Sequence, residues 1–290
     1  MKATTLTGIG AAAVAVAVLT FVPALAQGQG KGKGKGKAPE GPNPNVAHAP
    51  IPRTADGKPN LTGTWQSGGV SINGEAGAPP LNPLPPIDNH PITREPLAYK
   101  PDWEAKRSSI NASIDDPTLY CLLPGVPRIS TMPMPLEIVQ TPNEVVVLYE
   151  AFRAWRRIPV HADLKHPNDL VPTWMGDSVG RWEGDTFVVD VTGFNDKTWI
   201  AGGGSIHSED LHVVEKFTLN DDGSLSYEYM AEDPVALQRP TRGGAVFRRP
   251  IDVRVEEYEC IENNPDPEHI RRALSLQDNS KQGKQGKGKQ

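Results

Sequence analysis

The chain has 290 residues, with 30 basic against 35 acidic side chains and a formal net charge of −5. That balance argues against a nucleic-acid binder, whose affinity comes from Lys and Arg neutralising phosphates. The 29 prolines and 28 glycines argue against a fold built on long helices, since both residue types break them.

Lys2 gives a short positive start, residues 9–25 are almost wholly apolar, and Ala24-Leu25-Ala26 sets small residues before Gln27. This is the layout of a secretory signal cleaved after residue 26. The alternative is a membrane anchor, but the apolar run is about seventeen residues, holds Gly10 and Pro23, and sits at the short limit for a span. No later segment reaches the ~20 apolar residues of a transmembrane helix. The expected product is a soluble protein, secreted or periplasmic, with no transmembrane segment.

Gln27–Lys37 and Lys281–Gln290 are Gly/Lys/Gln runs with four lysines each and nothing apolar. They predict disordered tails over 27–50 and 277–290. Between Gly41 and Leu276, 21 basic residues face 33 acidic ones, so an acidic body carries two basic arms. Such arms suit weak contact with an anionic envelope surface, or act as solubilising spacers. Nucleic acid is not expected as a partner.

Residues 51–276 show no internal repeat and no Gly/Ser linker, and are read as one domain. A strand is expected at Leu61–Gln66. From Pro79 to Pro101 there are eight prolines, which neither a central strand nor a long helix tolerates, so the segment is expected to wrap the surface. A short helix follows at Asp102–Ile110. Strands are then predicted at Leu136–Gln140, Glu144–Glu150, Ala154–Pro159, Ser178–Trp182, Thr186–Thr192, Leu211–Leu219, Ser224–Ala231 and Val253–Cys260, several joined by tight-turn sequences. A last short helix is expected at Glu268–Leu276. The fold class is all-β and mainly antiparallel: a barrel or barrel-like sandwich with a Pro-rich wrap and short helices. Cys121 and Cys260 are the only cysteines. An even count in an exported chain points to one disulfide, with two free buried thiols as the alternative.

Gly63-Thr64-Trp65 resembles the G-x-W signature of lipocalin-like (calycin) barrels, which implies a tryptophan closing one barrel end and a small apolar ligand inside. More broadly, Cys121–Arg128 (CLLPGVPR), Glu137–Pro142 (EIVQTP), Arg156–Pro159 (RRIP), Met175–Thr186 (MGDSVGRWEGDT), Gly193-Phe-Asn195 and His207–His212 (HSEDLH) resemble a large family of exported bacterial proteins. The resemblance runs from Pro52 to Asn264 and implies export and a β fold, but no activity.

Leu211, Val213, Glu215 and Phe217 share one strand face, so Glu215 is expected to point inward. A buried carboxylate must be paired, metal-bound or protonated; Arg153, Arg156 and Arg157 are the candidate partners and candidate ligand contacts. His207 and Glu209 precede the strand at its rim, and His212 falls on the face opposite Glu215. Acid–base catalysis by His207 or His212, with Glu215 or Glu209 orienting the ring, is one reading; structural histidines are another. A metal held by His207 and His212 is not assigned, because the H-x-H pair of cupin metal strands is missing, and no cofactor is expected. A second cluster, His161, His166, Trp174 and Asp177, with Trp199 beyond it, suits a ligand site at a barrel mouth. Three functions stay open: a barrel binding a small apolar or aromatic molecule at its mouth, a cofactor-independent lyase, isomerase, hydratase or hydrolase using histidine, and an envelope-associated protein attached through its lysine tails.

Overall fold

The computed structural model describes residues 50–71, 97–262, 264–272 and 274–275; the expected export signal, both lysine-rich runs and the proline-rich segment expected to wrap the surface, from Pro79 to Pro96, lie outside the described residues. Among the described residues nine strands form the fold: β1 (Gly63–Ser71), β2 (Leu136–Gln140), β3 (Glu144–Tyr149), β4 (Trp155–Pro159), β5 (Asp177–Glu183), β6 (Thr186–Thr192), β7 (His212–Leu219), β8 (Leu225–Glu232) and β9 (Thr241–Arg248). Their order is β4-β3-β2-β1-β9-β8-β7-β6-β5, every neighbouring pair antiparallel. With nine strands alternating in direction, the two outermost, β4 and β5, run the same way. They meet at a parallel bridge between Val160 and Gly180, where the His161 backbone N–H donates to the Gly180 carbonyl at 2.8 Å. The result is a nearly closed, antiparallel β-barrel with one parallel seam. A hairpin cannot join parallel strands, so residues 160–176 make a long connection between β4 and β5.

Period-two alternation sets the wall. On β7, Val213, Glu215, Phe217 and Leu219 are buried and point inward; on β3, Val145, Val147 and Tyr149 do the same. Trp65, Phe187, Val189, Tyr227 and Phe247 fill the interior between them, each large side chain contributing about 1.5–3 kcal/mol on burial. Helix is short here: α1 (Pro101–Ser108) has Pro101 in its first turn, with acids early and bases late, which suits the helix dipole; α2 (Ala112–Asp115) is one turn.

One expected strand is displaced. Val253–Cys260 has no regular structure; the last strand is β9, TRGGAVFR. Its two glycines argue against a strand by propensity, but packing requires them. A Cβ on Gly243 would lie 2.5 Å from the Tyr229 hydroxyl, and one on Gly244 would lie 2.2 Å from the Tyr227 carbonyl. β1 is also longer than expected, because its second half pairs with β9.

Trp65 lies in the first half of β1. Its ring is fully buried, its indole N–H donates to the Leu61 carbonyl at 2.8 Å, and the Arg249 guanidinium lies 4.2 Å above the ring. Gly63 has φ +133°, and a Cβ there would strike Arg249 at 2.2 Å. The glycine of the G-x-W sequence thus makes room for the arginine that covers the tryptophan.

Arg156 on β4 and Glu215 on β7 form an ion pair inside the barrel, at 2.6 and 3.1 Å, with both side chains almost fully buried. The Tyr227 hydroxyl donates to Glu215 at 2.9 Å, and Arg156 donates to Ser178 Oγ at 2.8 Å. Burial opposes the Arg156 charge, but Glu215 overcomes it and holds the guanidinium pKa above its ordinary value. The Cys121–Cys260 disulfide is formed, with Cα atoms 5.5 Å apart. It closes a loop of 139 residues, which on chain entropy contributes about 5 kcal/mol.

Removing one partner of such a pair strands a buried charge and costs about 3–5 kcal/mol, whereas replacing both with apolar residues is often near neutral. Glu215→Gln is therefore expected to lower the unfolding free energy, measured by urea titration, by about 3–5 kcal/mol. The double variant R156M/E215L recovers most of the loss.

Candidate functional site

On the outer wall, four adjacent strands and the seam connection bring five ionisable side chains into one hydrogen-bonded line. His166, from the 160–176 connection, has Nδ1 2.6 Å from Asp177 on β5 and Nε2 2.9 Å from Asp190 on β6. The other Asp190 oxygen lies 2.7 Å from Nε2 of His212, which opens β7. Nδ1 of His212 is 2.8 Å from Glu232, which ends β8. The order is Asp177, His166, Asp190, His212, Glu232. His212 sits directly opposite Glu232 in the ladder, while Asp190 pairs with Val214 and reaches His212 on the diagonal.

Hydrogen bonding to Asp190, joined by Glu232, pushes the His212 pKa up to about 9 against the opposing effect of burial. The ring is thus an imidazolium at neutral pH, donating from both nitrogens. Burial would raise the Asp190 pKa, but hydrogen bonds from His212 and His166 hold it below the usual carboxylate value. A cleft of about 370 Å³ opens at the His212–Glu232 end of the line. Asp210 and His212 form one side, Glu232 another, and the turn from Asp233 to Pro240 the rest. That turn is firmly built. Asp233 accepts from the backbone N–H of Val235 and Ala236 and from Ser208, and Leu237 bridges to Tyr99.

The residues read from the sequence separate into groups. His166, Asp177 and His212 come together in the line. Glu215 points inward and His212 outward, as a regular strand requires, and Glu215 takes Arg156 as its partner. Arg157 instead lies on the outer wall against Glu144, and Arg153 pairs with Glu259 at 2.7 Å, so the three arginines do not converge. His207 is buried; its Nδ1–H donates to the Ser208 carbonyl at 2.8 Å and its Nε2 accepts from the Thr198 hydroxyl at 2.7 Å. Burial lowers its pKa, and the ring is neutral. Trp199 is buried under Arg128, whose guanidinium lies 5.6 Å from its ring. The glycines after it turn a short hairpin closed by the Ile200 N–H and the Ser205 carbonyl. Glu209 and His161 are exposed, and Trp174 is half-buried on the connection. Among the described residues no group of three or more His, Cys, Asp or Glu side chains could hold a metal.

Asp190 and Glu232 were missed by sequence reasoning. The available signal was an aspartate among valines in FVVDVT, at an outward position beside a strand that starts with histidine. The chain matches no family model and no curated protein.

The raised His212 pKa makes stability pH-dependent. Stabilisation of the folded state by the imidazolium is complete below the unfolded pKa of 6.5 and is lost as pH rises through about 9. After allowance for solvent screening it is worth about 2 kcal/mol. His212→Gln is expected to cost about that much at pH 6, and under about 1 kcal/mol at pH 9.5, measured as urea midpoints of both proteins across the range.

Proposed function

We propose that this chain is an exported barrel protein that binds a small molecule in the cleft beside His212 and Glu232. The observation that carries this is the position of the cleft: it opens where the five-residue line ends, so fixed charged groups meet an accessible space. Its volume, about 370 Å³, falls at the small end of the range for ligand sites. The lipocalin-like resemblance would put a ligand inside the barrel, but Trp65, Phe187, Tyr227 and Phe247 occupy the interior, which favours the outer cleft. The disulfide and the absence of a long apolar helix among the described residues are compatible with export. Histidine acid–base turnover gains little support, since both ring nitrogens of His207 and of His212 are already engaged. Attachment through the lysine tails concerns residues outside those described.

Ligand-observed NMR with a fragment library tests the proposal. Pro240→Trp places bulk at an exposed lining position without entering the core. Fragments that bind the wild type are expected to lose at least about tenfold in affinity, a cost of ~1.4 kcal/mol, while the unfolding midpoint holds. Undiminished binding to this variant would remove the cleft as the site.

A further inference from the structure

We infer that the cleft takes a small organic ammonium ion, its charged head against Glu232 and its aliphatic body against Leu237, Pro234 and Pro240. This rests on the cleft being the ligand site and adds the chemistry of what it selects.

The argument starts from which lining groups are still able to contact a ligand. The His212 side chain is committed. His212 donates one N–H to Asp190 at 2.7 Å and the other to Glu232 at 2.8 Å, so it has none left for an anion. Arg239 is engaged by an interaction of its own. Asp233 is buried, and both its oxygens are taken up by Ser208 and the following turn. Gln238 donates its side-chain N–H to the Tyr99 carbonyl, and two carboxylates remain. Asp210 is exposed, and its backbone N–H is tied to Ser208 Oγ at 3.1 Å. Glu232 uses Oε1 to hold His212, its side chain is 44% exposed, and Oε2 makes no hydrogen bond among the described residues.

Glu232 differs from an ordinary surface glutamate in being anchored. A loose carboxylate gives up rotamer entropy when it binds a cation, which is one reason exposed ion pairs contribute little. Here His212 holds one oxygen, Asp190 holds His212, and His166 holds Asp190, so that entropy is already lost before a ligand arrives. A preorganised carboxylate favours a charged donor over a neutral one, because charge-assisted hydrogen bonds are about twice as strong. Pro234 and Pro240, with the almost fully buried Leu237, line the cleft too; their side chains have no polar groups to offer a hydrophilic body, which favours a short hydrocarbon chain.

The probes are n-hexylammonium, hexan-1-ol and hexanoate, which share a body and differ in the head group. Each is titrated into the full-length, disulfide-bonded protein and followed by backbone amide shifts. Hexylammonium is expected to shift the 233–240 amides, to weaken with added salt, and to lose about tenfold in affinity in Glu232→Gln and about threefold in Asp210→Asn. Equal shifts from hexanol or hexanoate, or unchanged hexylammonium binding in Glu232→Gln, would overturn the choice of a cation and leave the cleft as a site. If none of the three moves these amides, the cleft reading itself falls, and this inference with it.

Discussion

An odd number of alternating strands cannot close into a barrel without one parallel contact, and much of this molecule follows from that constraint. The parallel contact falls between β4 and β5, and it forbids a hairpin there. The chain must return along the barrel by an external route, because the interior is packed. A segment of that length brings polar groups that need partners. His166 supplies the anchor, bridging Asp177 at the start of β5 and Asp190 on β6. Asp190 then shares its second oxygen with His212, whose other nitrogen fixes Glu232. The closure of the barrel and the orientation of a carboxylate at the cleft therefore belong to one chain of contacts.

Strand β7 carries two charge systems on opposite faces. Glu215 and His212 are three residues apart, an odd number, so one faces the core and the other the outside. The two environments treat charge differently. Inside, Arg156 and Glu215 lose nearly all hydration and depend on each other and on Tyr227 and Ser178. Such a pair adds little net stability over an apolar filling but penalises any arrangement that separates it. It therefore ties β4 to β7 across the barrel and opposes register slips near the seam. Outside, the His212 line is half-solvated, so water screens part of its strength and its outer end stays within reach of solutes.

The strands were legible where hydrophobic alternation and turn residues agreed, as in β2–β3, β5–β6 and β7–β8. The inward glutamate on β7 was legible for the same reason, and an interior arginine was among its expected partners. β9 was hidden because Gly243 and Gly244 are demanded by tyrosines from another strand, a tertiary requirement that local propensity does not carry. Val253–Cys260 misled in the opposite direction: its alternation is strand-like, yet β1 and β9 already occupy each other's edges. The outer line was half legible. His166, Asp177 and His212 stood out as polar residues near strand ends. Asp190 and Glu232 did not, because diagonal contacts become visible only once neighbouring strands are known.

The position of β1 has a consequence for how the chain acquires this structure. Of the described strands β1 is the first made, yet its second half pairs with β9, the last of them, joining Gln66 to Arg248 and Ser71 to Gly244. Contacts so distant in sequence are slow to form, because a long loop must close before they repay its entropy. During N-to-C synthesis, β2 to β4 and β5 to β9 can assemble as two sequential meanders from near neighbours, whereas β1 reaches β2 only across residues 72–135. Only the union of the first strand with the last turns two curled sheets into one wall. Until residue 248 emerges, both halves expose a bare edge able to pair with a neighbouring chain, so the interval before completion is when this protein is most exposed to misassembly.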